Sequence, residues 1–134
     1  MATGQRPIEL IHARNLITGL STPALLVDED GVVVFYNDAA GMILGRRFEE
    51  SGRMAPEEWG TAFQPIDRSG KPVPVEELPL TIALRQTRPA YSRLRIRSLD
   101  AQDHEIHVSA IPILTMEGLR GAMALFWSVG EGDV

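Results

Sequence analysis

The sequence predicts an α+β domain, with strands gathered at both ends of the chain and helices between them. Two observations carry this. Residues 24–40, ALLVDEDGVVVFYNDAA, run through strand, turn, strand, polar corner and helix start in seventeen residues. Three further stretches, residues 91–98, 104–114 and 121–129, are apolar or alternating and read as closing strands, while the interval between is punctuated like helix and loop. Strands and helices segregated along a chain, instead of alternating, are the pattern of α+β architecture.

Taken in order, residues 1–6 are small and polar, as a frayed terminus would be. Pro7 suits the first position of a helix over residues 8–20. In that helix Leu10, Ala13, Ile17 and Leu20 recur at spacings of three and four, with Leu16 beside them. Gly19 and Ser21-Thr22-Pro23 end it. Residues 24–27 and 32–36 pair as a hairpin across Asp28-Glu29-Asp30-Gly31, where Gly31 can take positive φ. Asn37 is a strong N-cap for a helix over residues 38–44, and Asp38 suits its positive end. Residues 46–55 read as irregular. Pro56-Glu57-Glu58-Trp59 opens another helix, with Trp59 and Phe63 one turn apart and facing inward. After the Asp67–Lys71 turn, residues 76–87 read as one helix with Pro79 in its first turn and Leu78 and Ile82 defining its inner face, widened by Leu80, Ala83 and Leu84. Arg88-Pro89 closes it.

The last three strands differ in pattern. Residues 91–98 alternate, Leu94 and Ile96 one way and Tyr91, Arg93, Arg95 and Arg97 the other. Residues 121–129 are apolar on both parities, Met123, Leu125 and Trp127 against Ala122, Ala124 and Phe126, so this strand needs cover on both faces. The middle helices provide one cover. The N-terminal helix or a partner subunit provides the other.

This order of elements resembles a PAS domain. The hairpin with D-x-x-G and Y-x-N-x-A-A is similar to the family's first hairpin and following helix, and Asn37 falls where the family often has Asn. The stretch FQPIDRSGKPVPVEELPLTIAL is similar to a PAS subgroup of bacterial signalling proteins. The resemblance spans roughly residues 20–129. It implies a five-stranded antiparallel sheet in the order 2-1-5-4-3, helices on one face, and an N-terminal flanking helix. It also divides the chain into the flanking helix (1–22), the PAS domain (23–129) and a tail (130–134), and implies a sensing or relaying role.

Composition narrows the chemistry. The 134 residues fit one domain, and a net charge of −5 argues against a general grip on nucleic acid or anionic lipid. Without cysteine there is no disulfide, thiolate nucleophile, iron–sulfur cluster or cysteinyl-flavin photochemistry. No run reaches the length of a membrane span and no signal-peptide core opens the chain, so the cytoplasm is the expected location. His104 and His107 point to opposite faces of one strand and cannot share a metal, and residues 76–87, where the resemblance would put a haem ligand, hold no His. Neither phosphate-loop motif occurs, and the paired acids at 49–50, 57–58 and 76–77 diverge on helices.

The expected function is therefore regulatory and not enzymatic: a sensory module binding a small apolar or amphipathic ligand, or a protein partner, and serving an output signalling domain. A ligand-free dimerisation module is the alternative. A sensor with non-covalent flavin and a small α+β enzyme stand behind both. A pocket between sheet and helices would be lined by Phe35, Asn37, Met42, Met54, Trp59, Phe63, Leu78, Ile82, Leu94 and Ile96, with one parity of the last two strands, although such residues are equally at home in a plain core. Asn37 is also expected to act structurally at its corner, and the Trp59 indole N–H is expected to meet a polar group of the ligand. Leu10, Ala13, Leu16, Ile17 and Leu20 are the candidates for a homodimer contact that relays the signal.

Overall fold

The computed structural model describes residues 7–130. The readings of residues 1–6 as a frayed end and of 131–134 as tail lie outside the described residues. Helix α1 (Ile8–Thr18) leads into the hairpin β1 (Ala24–Asp28) and β2 (Val33–Tyr36). Helices α2 (Asp38–Leu44), α3 (Phe48–Ser51), α4 (Pro56–Ala62) and α5 (Pro79–Gln86) follow. Strands β3 (Ala90–Arg97), β4 (Asp103–Thr115) and β5 (Gly118–Ser128) close the chain. The strands form one antiparallel sheet in the order β2-β1-β5-β4-β3, as the resemblance implied.

The hairpin turn is built by Asp28. Its Oδ1 accepts from the backbone N–H groups of Asp30 (2.9 Å) and Val32 (3.0 Å), and Gly31 takes φ +83°. A bulge sets Leu26 opposite Phe35 but Val27 opposite Val33, which leaves Val34 as the extra residue. All four residues of β2 are consequently buried, divided between the two sides of the sheet.

The helical interval departs from the expected boundaries in two places. Residues 46–55 contain α3, entered through an extended Arg47 (φ −71°, ψ 151°). The expected single helix over 76–87 is split. Val75–Glu77 form a 3-10 turn, Leu78 is extended at φ −73°, ψ 147°, and α5 starts at Pro79. Proline disfavours helical backbone in the residue before it and is at home at the first helical position, so Pro79 both ends the turn and starts the helix. The closing hairpin is also tighter than expected. β4 and β5 pair as far as Thr115 opposite Gly118, leaving two residues for the turn.

Two cores lie on opposite sides of the sheet. The inner one joins Ile106, Val108, Ala124 and Phe126 of the strands to Leu44 of α2, Trp59 of α4 and Leu80 and Ala83 of α5. The outer one joins Ile17 of α1 to Ala24, Leu26, Val34 and Phe35, with Met123 and Leu125 packed against it. On β5 the cover by α1 of the same chain reaches Met123 and Leu125, while Trp127 lies beyond it and is exposed. This cover stops at β5. No described helix lies over the outer face of β3 and β4, and a cross-strand stack of Tyr91 of β3, His107 of β4 and Trp127 of β5 runs along it, with ring centroids 5.9 and 5.3 Å apart.

Candidate functional site

The helices do not fill the inner face completely. An apolar cavity of about 100 Å3 remains between the sheet and α4–α5. Its floor is Leu94 and Ile96 of β3, Ile106 and Val108 of β4, and Ala124 and Phe126 of β5. Its roof is Met54, Trp59, Phe63, Leu78 and Leu80. Ala124 keeps the void open, because it puts a single methyl group where its strand neighbour Phe126 puts a ring.

Trp59 is placed by α4, whose start follows from Pro56 at the first position and from the Glu58 Oε1 accepting the Ala55 backbone N–H at 3.1 Å. The indole N–H donates to the Gly31 carbonyl at 2.8 Å. It is therefore spent on the hairpin turn, and the expectation that it meets a ligand is corrected. Tyr36 borders the cavity with its ring, while its hydroxyl donates to the Arg46 carbonyl at 2.5 Å and lies 2.8 Å from the Ser51 hydroxyl. Both polar atoms of the aromatic wall are thus turned outward and satisfied.

Burial pushes the Tyr36 phenol above its ordinary value, against smaller opposing effects of Ser51 and Arg46. A phenol that holds its proton more tightly when folded adds stability that is fully present below the unfolded pKa, about 10. That stability is lost as pH rises through the folded value. Alkaline denaturation of the wild type should therefore be steeper above pH ~10 than that of Tyr36→Phe, read by circular dichroism.

Six of the ten pocket candidates meet at this cavity: Met54, Trp59, Phe63, Leu78, Leu94 and Ile96. The other four do not. Phe35 lies in the outer core, edge-on to Phe48 and under the Arg14 guanidinium at 4.5 Å, because the β2 bulge shares its strand between both faces. Met42 is 83% exposed on the solvent side of α2. Ile82 is displaced because Pro79 removes Leu78 from the helix. The inward face of α5 then falls on Leu80 and Ala83 instead of a 78–82 repeat. Sequence reading set Leu80 only at the edge of that face for the same reason, and reached Ala124 only as part of an unspecified parity of the last strand, because an alanine carries no signal of a void.

Asn37 is buried beneath the corner and touches no part of the cavity. Its Oδ1 accepts from the Ala40 N–H (2.9 Å), capping α2, and from the Ala24 N–H (3.1 Å). Its Nδ2 donates to the Ile17 and Thr22 carbonyls, both at 2.9 Å. One side chain thus ties together the end of α1, the start of β1 and the start of α2.

The five relay candidates also separate. Leu10 and Ile17 are buried and Ala13 is half-buried on the sheet of their own chain, so these three are not an open seam. Leu16 remains exposed beside Ile8 and Ile11 on the same helix, and Leu20 remains exposed just past the helix end, which falls at Thr18 and not at the expected residue 20. The arginine row of β3 is partly answered within the sheet. Arg97 meets Asp103 at 3.1 Å and holds that carboxyl below its usual range, and Arg93 lies 3.8 Å from Glu105. Among the described residues no group of three His, Asp or Glu could hold a metal ion. No helix among them is long and apolar enough to cross a membrane.

The chain has the PAS fold. It superposes on the PAS domain of Bordetella pertussis BvgS with TM-score 0.61 at 17% identity, covering 92% of this chain and 88% of that one. Against a PAS domain from a two-component sensor histidine kinase the values are 0.60, 17%, 91% and 97%. Against the light-state dimer of the fungal blue-light photoreceptor Vivid they are 0.63, 14%, 95% and 97%. No family sequence model matches the chain, and neither does any curated protein.

Haem and flavin are the prosthetic groups that this fold brings to mind, and the cavity fits neither. Sites for molecules of that size run to roughly 300–1,000 Å3, with polar groups placed to orient the ligand. Here the space is about 100 Å3, and the only side-chain heteroatoms among the described lining residues are the Met54 sulfur, the Tyr36 hydroxyl and the Trp59 N–H, the last two of which are bonded elsewhere.

Proposed function

We propose that this chain is a sensory or regulatory PAS module of a bacterial signalling protein, acting in the cytoplasm without catalysing a reaction. It takes a small apolar ligand in the cavity beneath Trp59 and passes occupancy through the sheet and α1 to a second copy and an output domain. The observation that supports this is the shared strands. Leu25 of β1 and Ala124 of β5 border the cavity, while their strand neighbours Leu26, Met123 and Leu125 receive α1 on the opposite face. A change in spacing on one side of β1 and β5 is felt on the other, since close-packed interiors transmit strain. The sensor kinase and photoreceptor among the structural neighbours are consistent with such a role.

The dimer reading draws on the exposed apolar residues Ile8, Ile11 and Leu16 of α1, Leu20 just past it, and Ile111, Leu114 and Trp127 of the sheet. Symmetric pairing of two copies would bury both sets. These residues equally favour a ligand-free dimerisation module, which is the second reading. Leu16→Glu/Leu20→Glu alters only exposed positions and should leave the fold intact while light scattering shows monomers. A double variant that stays dimeric removes α1 from the interface. Hydrogen exchange of α1 then separates the two readings: ligand occupancy changes α1 protection in a sensor and leaves it unchanged in a plain dimerisation module.

A further inference from the structure

We infer that the cavity selects molecules that make no hydrogen bonds and are smaller than benzene, from a diatomic gas to a hydrocarbon of about four carbons. This inference rests on the sensory reading and narrows it to a ligand class.

Size sets the upper limit. An engineered apolar cavity of roughly 150 Å3 stays dry and takes benzene or xenon. The space here is about 100 Å3. Chemistry sets the rest. The only side-chain hydroxyl and N–H groups on the aromatic wall belong to Tyr36 and Trp59, and both are bonded outside the cavity. A ligand hydroxyl, amide or carboxylate would enter without a partner. Burying such a group unpaired costs more than a ligand of this size can recover from its few apolar atoms. Water is disfavoured for the same reason, since a buried water needs two to four polar partners.

A second space adjoins the cavity. A wider groove of about 760 Å3 runs outside, between α4, the Pro72–Val75 segment and the edge of β3. It shares Pro65 and Ile96 with the cavity. Ile96 is therefore a border residue of both spaces. Ile96→Ala should merge the two spaces and relax the size limit.

The test uses xenon, followed by methyl carbon–proton NMR of the whole protein under gas pressure. The methyl signals of Ile106, Val108 and Leu94 should shift saturably, while those of Leu16 and Leu114, exposed on the surface, stay still. Ala124→Leu should abolish the shifts. Should that variant not fold, Val108→Ile fills the same space by one methylene and should weaken them. Benzene should leave the wild type unchanged and shift the same methyls in Ile96→Ala. Xenon shifts spread evenly over the surface, or shifts that survive filling of the cavity, overturn the inference. So does a polar or tricyclic molecule released from native protein and identified by mass spectrometry. That last outcome would leave the sensory reading standing. Xenon bound without any change in α1 protection would instead remove the relay and keep the ligand class.

Discussion

Asn37→Ala should lower the unfolding free energy by about 3–4 kcal/mol, the largest loss expected from any single truncation of a polar side chain here. The side chain is 3% exposed, so water cannot replace it. Loss of the α2 cap accounts for about 0.5–2 kcal/mol. The rest comes from the Ile17 and Thr22 carbonyls and the Ala24 N–H, each of which would be left without its side-chain partner. Asn37→Asp divides the role. Its carboxylate can still accept from Ala24 and Ala40, but it cannot donate to Ile17 and Thr22 and sets negative charge against their carbonyls. We expect amide exchange to show α2 retained and the end of α1 released. Unchanged melting of Asn37→Ala, together with loss of ligand-induced shifts, would move Asn37 from architecture to recognition.

Gly121→Ala should cost about 2–4 kcal/mol, through overpacking at the junction of α1, β1 and β5. Gly121 pairs with Asp28 at the end of β1. A Cβ placed there would sit 2.2 Å from the Val27 carbonyl oxygen, 3.1 Å from Leu10 Cδ2 and 3.3 Å from Asp28 Cα. The nearest obstacle is backbone already held in the β1 ladder, so it cannot rotate away. The last pairs of β1 with β5 must open, and α1 loses the seat of Leu10. The double variant Gly121→Ala/Leu10→Ala decides which contact governs. It should stay at least as unstable as Gly121→Ala in chemical denaturation. Recovery would show that Leu10, not the strand backbone, is the tight neighbour.

The residues whose signal is local were legible in the sequence, and those whose role depends on a neighbour were not. The hairpin announces itself through Asp28 and Gly31, and Asn37 through its place before a helix. The inner parity of β3 follows from alternation alone, whereas β5, apolar on both parities, declares none. The strand order came from family resemblance, since nothing in the residues of β1 states that β5 will lie beside it. The site was half visible. Trp59, Phe63, Leu94 and Ile96 are large apolar residues on recognisable faces. Met42 has the same apolar character but sits on the outward side of a seven-residue helix, too short for periodicity to decide. Phe35 crosses to the other face because of a bulge that no residue type marks. Ile82 gives way to Leu80 because one proline shifts the helical phase, an effect readable in principle from Leu78-Pro79. The exposed halves of α1 could not be told from its buried halves until the sheet beneath it was known.

Ala124 has a consequence for how such a module could diversify. It borders the cavity but takes no part in the two anchors that hold the architecture, the Asn37 corner and the Gly121 crossing. A change from Ala124 to Val or Gly needs only one nucleotide, and it would resize the chamber while leaving both anchors untouched. Selectivity and foldability are therefore carried by different positions in this chain. A lineage could retune what the module answers to by small steps at the floor of β5, without first passing through an unstable intermediate.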